Sequence, residues 1–385
     1  MRVDADVLLA RRAEFPILST CTYLISNSLG AMPARTPERL AEYARSWRED
    51  GVLAWDEWLA TARRAGDLVG ALIGAGRDEV TIFQNVSICE SVLASCLDYS
   101  SGRDKIVYSD LEFPTIHYVW QAQARRGARL EVVRSRDGIR ADVEALCAAI
   151  DARTVAVPIS HVLFRSSAIC DVAPIVEKAH SVGAWVFLDV FQSIGTLPID
   201  ISALRVDAVV GGCLKWLCGG PGAAFLWVSP QLYERLSPTM VGWFAHKRPF
   251  DFDMGAFEAA DDIWRYAGGT SNVPAIYAAL GGLEIINEVG VDAIRARSTE
   301  LTSLLVERAQ QHGITVRSPL DARERGGHVT LDVPDARRAC DELIRRRFMV
   351  DFRPNAGIRV APHFYNTRDE VEAVVRELAA IRDGR

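Results

Sequence analysis

The sequence predicts an α/β protein, with a large domain built on a mainly parallel sheet covered by helices and a small α+β domain at the C-terminus. Three observations carry this. From about residue 79 to 228, strand-length apolar runs alternate with stretches of helical periodicity, as in a parallel sheet whose crossovers are helices. The run at 185–188 is apolar throughout, as in a strand buried on both faces. From about 275 to 385, helical stretches alternate with short strands such as 327–332. The chain therefore divides into an N-terminal arm over 1–45 that packs with the small domain, a large domain over 46–274 and a small domain over 275–385.

Composition narrows the class. A chain of 385 residues, 49% hydrophobic and 24% charged, has the balance of a soluble globular enzyme with a substantial core. A net charge of −6 and the lack of a dense basic stripe argue against a nucleic-acid partner. No apolar run approaches the roughly 20 residues of a membrane span, and the N-terminus is too charged for a secretory signal. The 8 cysteines form no Cys-x-x-Cys pair or metal spacing, so free thiols in a reducing cytoplasm and no metal are expected.

In chain order, the arm reads as a short helix, an extended stretch at 22–25 and the polar turn Ser26-Asn27-Ser28-Leu29-Gly30. Residues 37–72 carry Ala, Leu, Trp and Val at three- and four-residue steps, a helical pattern. A strand at 80–83 runs into Gln84-Asn85-Val86-Ser87 and a helix through 97. Free N–H groups at that helix start, with the Ser87 hydroxyl among them, suit a phosphate, and a plain N-cap is the alternative for the serine. The strand at 105–108 leads to Glu112-Phe113-Pro114-Thr115, and the strand at 155–159 ends at Ser160-His161. A helix over 172–182 then returns the chain to 185.

Residues 185–228 organise the rest. The first strand ends on Asp189, while a second apolar run at 207–210 leads through a glycine pair to Lys215, the turn Gly219-Gly220-Pro221-Gly222 and a third run at 223–228. Two charges thus reach one sheet edge, at the carboxyl ends of parallel strands where α/β proteins bind ligands. Lysine occurs only at 105, 178, 215 and 247, and arginine, which makes up nearly all of the 44 basic residues, cannot act as an amine nucleophile. Lys105 in a polar turn, Lys178 on a helix and Lys247 in a loop read as solvated or loop charges, whereas Lys215 follows a buried strand. Lys215 suits the amine that bonds an aldehyde cofactor, with Asp189 facing a pyridine nitrogen and keeping the ring an electron sink. A Lys–Asp ion pair is the alternative.

Beyond 228 the chain is irregular through Trp243 and a Phe/Asp-rich loop to Gly268-Gly269-Thr270-Ser271-Asn272. In the small domain, Arg359 lies within the apolar run Ile358-Arg359-Val360, where burial demands an anion: a substrate carboxylate or an internal Asp or Glu.

The pattern of Asp189, Val206-Asp207 and Lys215-Trp216-Leu217-Cys218-Gly219-Gly220-Pro221-Gly222 resembles the cofactor-lysine region of fold-type I pyridoxal-phosphate (PLP) enzymes of the class V aminotransferase group, and is most similar to kynureninases. The likeness extends in pieces from about Tyr23 to the C-terminus, through the Asn27-Ser28-Leu29-Gly30, Phe113-Pro114-Thr115 and Asp351-Phe352-Arg353 motifs. It implies the PLP-dependent transferase fold type I, with pyridoxal 5'-phosphate held by Lys215, Val86 and Ser87 at the phosphate, and Phe113 stacked on the ring. Thr115, Ser160, Asp189, Gln192 and Trp243 are its further implied neighbours. Thr270 and Asn272 are implied to cap the cofactor phosphate of the neighbouring subunit, hence a homodimer with shared active sites. Arg359 and Asn27 are implied to bind an amino acid substrate, Arg359 through the α-carboxylate. Without the resemblance, Asn27 reads as a turn residue and Phe113 as core.

The sequence departs from kynureninases where it has Leu214 in place of their usual Tyr, Gln192 in place of His, and Ile116 in place of an acid after Phe-Pro-Thr. Residues 50–59 hold no counterpart of the region that grips the aromatic amine. A desulfurase is disfavoured because the loop Pro354-Asn355-Ala356-Gly357 lacks a cysteine and Cys340 falls on a helix. The expected activity is kynureninase-like hydrolytic Cβ–Cγ cleavage of kynurenine or a related β-substituted amino acid. The alternatives are another class V reaction (aminotransferase, epimerase or β-eliminating lyase) on a specialised metabolite, or a cofactor-free binding protein.

Overall fold

The computed structural model describes residues 5–384. Seven strands form the main sheet: β1 (Val80–Phe83), β2 (Lys105–Ser109), β3 (Arg129–Val133), β4 (Thr154–Ser160), β5 (Trp185–Asp189), β6 (Ala208–Gly212) and β7 (Ala224–Val228). Their order is β1-β7-β6-β5-β4-β2-β3, and only β7 runs against its neighbours. Because β7 is antiparallel to both β1 and β6, those two share one sense, and six strands present their carboxyl ends at the same edge. β4, β6 and β7 are buried along their whole length, the physical reason for their unbroken apolar runs. The edge strand β3 carries Arg129 and Glu131 and stays largely open to solvent, so it lacks the apolar signature by which the other strands are read from sequence.

The helical stretch expected over 37–72 is two helices, Thr36–Asp50 and Trp55–Ile73, separated by a tight turn at Gly51–Ala54 in which Gly51 has φ 56°. Both pack on the helix Val273–Val289, whose apolar side chains belong to the larger core. A second core joins Leu24 to apolar residues from Leu301 to Ala379. It lies against an antiparallel sheet of β8 (Thr315–Val316), β9 (Val329–Asp332), β10 (Asp351–Arg353) and β11 (Gly357–Val360), in the order β10-β11-β9-β8. The helix Val273–Val289 crosses the division expected at 274/275, and we propose a boundary near Gly290 instead.

The arm ties the two cores together. Thr22–Tyr23 pairs in parallel with Phe348–Met349, and Ala361 N donates to Leu24 O at 2.7 Å. On the other side Gly30 N donates to Leu214 O at 2.8 Å, which sets the turn at 26–30 beside Lys215. A Cβ on Gly30 would lie 2.2 Å from Lys215 O, so only glycine permits this approach. Among the described residues, no helix is long and apolar enough to cross a membrane.

Candidate active site

The sheet edge collects the expected residues. Asp189 is the last residue of β5, Ser160 the last of β4 and its register partner, and Lys215 follows β6 by three residues. The loop that carries Lys215 is closed at its base by Gly219 N donating to Cys213 O at 2.8 Å, and Cys218 takes φ 53° in the turn. The Lys215 Nζ rests 3.9 Å from the centroid of Phe191 and 5.6 Å from that of Phe113, a residue 41% exposed. Part of Lys215 opens to solvent, yet the atoms around its amine desolvate it and push its pKa down to about 7, against the pull of Asp189 and with the help of Arg359 and Arg353. An amine with that pKa is about half neutral, and to that extent ready as a nucleophile, at pH 7. The other lysines differ: Lys247 pairs with Asp261, and Lys178 lies on the helix Ala173–Ser181. Lys105 corrects its expected setting, since it opens β2, is largely covered and pairs with Asp151 at 2.8 Å and Glu131 at 3.1 Å.

Asp189 is buried, which raises its pKa, while the Phe191 N–H at 2.7 Å and the charge of Lys215 act the other way. Two further carboxyls that the sequence reading missed lie close enough to interact with it. Glu90, on the helix Val86–Ser95, accepts from Trp120 Nε1 at 2.9 Å; Glu112 accepts from Ser160 N at 2.9 Å and from Ser160 Oγ. Burial pushes both up to about 8, with Asp189 adding to each. At neutral pH both are predominantly protonated, so this buried corner does not carry three full negative charges. Because the Ser160 hydroxyl donates its one hydrogen bond to Glu112, it meets any further partner as an acceptor. His161, beside it, bonds Ser193 Oγ through Nδ1 at 3.0 Å and is held neutral by burial, at about 4.

Above this corner, Gln192 bridges two segments. Its Nε2 donates to Asn27 O at 3.0 Å and its Oε1 accepts from Trp216 Nε1 at 3.1 Å, leaving one amide N–H for a cofactor oxygen. The Asn27 side chain is fully buried with neither amide atom partnered, and Glu112 Oε1 is likewise without a partner. Such orphaned groups cost about 1–3 kcal/mol each, so these fit a polar molecule seated beside Lys215.

Arg359 is 2% exposed and has the internal anion that the sequence left open. Its Nε donates to Asp351 Oδ1 at 2.8 Å, its Nη2 to Asp351 Oδ2, and its Nη1 to Phe164 O at 2.8 Å. A guanidinium has five N–H groups, so two remain for a carboxylate. Asp351 is shared with Arg353 at 2.9 Å, and two arginines on one acid leave a positive charge facing Lys215.

At the far end, Val86 is buried and Ser87 exposed; Ser87 Oγ lies 3.2 Å from Thr115 Oγ1, while Asn85, not Ser87, caps the helix by accepting from Ile88 N at 3.1 Å. The plain N-cap alternative for Ser87 is thereby overturned. Thr270 is exposed, whereas Asn272 lies against Gly222 of its own chain. The Trp243 indole N–H donates to Pro249 O and its ring packs against Trp55, Phe244, Phe250 and Phe252. Its only donor and much of its ring are thus engaged within this chain.

The aminotransferase class-V family model matches residues 23–374. The chain belongs to the aminotransferase class-V family. It is a kynureninase-like member: it is 32% identical over 383 residues to a kynureninase of Bacillus anthracis, covering 95% of this chain and 89% of the relative. It is also 32% identical over 369 residues to the uncharacterised aminotransferase YcbU of Bacillus subtilis (strain 168), covering 96% of each. Among solved structures, the apo cysteine desulfurase of Thermococcus onnurineus NA1 superposes with a TM-score of 0.87 at 21% identity, covering 100% of this chain and 99% of that one. A cystine C–S lyase in complex with its product cysteine persulfide does so with a TM-score of 0.85 at 23% identity, covering 95% and 99%. The fold is that of the fold-type I transferases, and the cofactor is pyridoxal 5'-phosphate.

Proposed function

We propose that this class V enzyme acts on an amino acid and cleaves a bond at Cβ, by kynureninase-like hydrolysis between Cβ and Cγ of kynurenine or a related β-substituted amino acid. The observation that carries the reading is the depressed Lys215 amine, at about 7, set between Phe113, Phe191 and Asp189 with Arg359 nearby. Near-full-length identity to a kynureninase supports it.

In this reading Lys215 and Asp189 hold the two ends of the cofactor ring system, Phe113 covers its face, Ser160 and Gln192 meet its phenolic oxygen, and Val86, Ser87 and Thr115 hold the phosphate end. When bound, the cofactor supplies the electron sink for bonds broken at the substrate's Cα and Cβ. The chain's own parts do the rest. The two free N–H groups of Arg359 orient the α-carboxylate, Asn27 meets the substrate's polar atoms, and Lys215 Nζ takes and returns the α-proton. Trp243 is a further neighbour of the cofactor, and Thr270 and Asn272 serve the partner's site in a cytoplasmic homodimer.

A second reading, another class V reaction such as transamination, epimerisation or β-elimination, is favoured by particular residues. Ile116 is fully buried where kynureninases carry an acid, Leu214 offers no phenol, and Gln192 is engaged by Asn27 and Trp216. The test is turnover of kynurenine and 3-hydroxykynurenine by the PLP-loaded protein, with Lys215→Ala as control. Lysine-dependent release of an anthranilate is the expected result. No release from protein that retains the absorbance of its lysine-bound cofactor overturns the kynurenine assignment, and a stoichiometric keto acid identifies transamination.

A further inference from the structure

His328 immediately precedes β9 and is 1% exposed, and its Nε2 has no hydrogen-bond partner. Its surroundings place it in the site described above. Thr330 is the register partner of Arg359, and alternation along a strand puts residues 328 and 330 on one face with that arginine. Over that face runs the segment at 164–165: Arg359 Nη1 donates to Phe164 O, Thr330 Oγ1 donates to Arg165 O, and the His328 ring bonds to the Arg165 backbone. The charges of Arg359 and Lys215 both act on the ring. Its position is held from behind, since His328 N donates to Ser167 Oγ at 3.1 Å and Gly327 comes so close to the Trp216 indole that a Cβ there would lie 2.8 Å from the ring.

The geometry points to His328 as a specificity-determining residue whose Nε2 accepts a hydrogen bond from the substrate's side chain, so that the preferred substrates are amino acids bearing a side-chain hydroxyl or amino group. The chemistry of the ring supports an acceptor rather than a base. Burial first, then the two neighbouring cations, keep it neutral, opposed only by its bond to the Arg165 backbone. With the ring's other nitrogen engaged by that backbone, the remaining lone pair is the group a donor would meet. An unmet buried acceptor rejects a purely apolar side chain more strongly than an apolar wall rejects a polar one. This inference rests on the amino-acid reading above and sharpens it to a side-chain class.

The experiment uses the PLP-loaded full chain and two pairs that differ by one donor, homoserine against norvaline and kynurenine against 3-benzoylalanine. Dissociation constants are read from the spectral change of the lysine-bound cofactor. In wild-type protein the donor-bearing member binds roughly tenfold tighter in at least one pair, and in His328→Phe the preference collapses while the apolar member's affinity is kept. His328→Leu removes the same acceptor with a smaller side chain, and is read identically if the phenylalanine variant does not fold. Equal affinities within both pairs, or a preference that survives loss of the imidazole, overturn the inference while leaving the cofactor and amino-acid reading in place. A protein that takes up no PLP at Lys215 overturns both, and the absent absorbance tells the two failures apart.

Discussion

The guanidinium of Arg359 forks onto the Asp351 carboxylate, with Nε 2.8 Å from Oδ1 and Nη2 on Oδ2, and still keeps two N–H groups free. The acid thus aims the arginine without exhausting it. Charge-assisted bonds of this kind are worth about 1.5–3 kcal/mol, so Arg359→Gln should raise the KM for an amino acid by roughly 10- to 100-fold while the absorbance of bound cofactor is retained. An unchanged KM would remove Arg359 from the substrate site.

The amine of Lys215 predicts a pH profile. Its pKa is pushed down to about 7 from 10.5, and only the neutral amine attacks an aldehyde, so uptake of PLP by cofactor-free protein should accelerate as pH rises through 7 and level off above it. Stopped-flow absorbance checks this. A rate that keeps rising towards pH 10 would mean an ordinary, solvated lysine.

Glu90 sits protonated beneath the site, with its pKa raised to about 8. An unfolded glutamate releases its proton near 4.5, so the folded state holds the extra proton between those values and the stabilising contribution is lost as pH rises through 8. Glu90→Gln, which keeps an acceptor for Trp120, should flatten the dependence of the denaturation midpoint on pH between 5 and 8. Above pH 8 it should exceed wild type by on the order of 5 kcal/mol. Parallel curves would mean that the carboxyl titrates normally.

Gly30→Ala would drive a Cβ to within 2.2 Å of the Lys215 carbonyl. Overpacking against backbone typically costs about 1–3 kcal/mol, so the variant should melt at lower temperature and show altered absorbance of the lysine-bound cofactor. A wild-type melting curve would mean that the arm shifts freely away from Lys215.

The proposed sharing of active sites between two subunits predicts complementation. Lys215→Ala and Thr270→Glu homodimers should each be inactive, but dissociated and reassociated together they form a mixed dimer with one intact site. About a quarter of wild-type activity should then return. None returns if each chain completes its own site.

Much of this site is written locally. Continuous apolar runs marked β4, β5 and β6 because strands buried on both faces need them, and the charges that end or follow those runs, Asp189 and Lys215, fall at the sheet edge by direction alone. The edge strand β3 escaped notice because, open to solvent, it carries arginine and glutamate.

What only the tertiary structure decided are the pairings between distant segments. Asp351 meets Arg359 across two antiparallel strands, Gln192 joins Asn27 to Trp216, Glu112 accepts hydrogen bonds from Ser160, and His328 faces the cations of the site with an empty acceptor. No periodicity encodes these. A strand or turn is specified by neighbours along the chain, whereas a hydrogen bond, a buried carboxyl's proton and an amine's basicity depend on which remote atoms fill the last few ångströms around it.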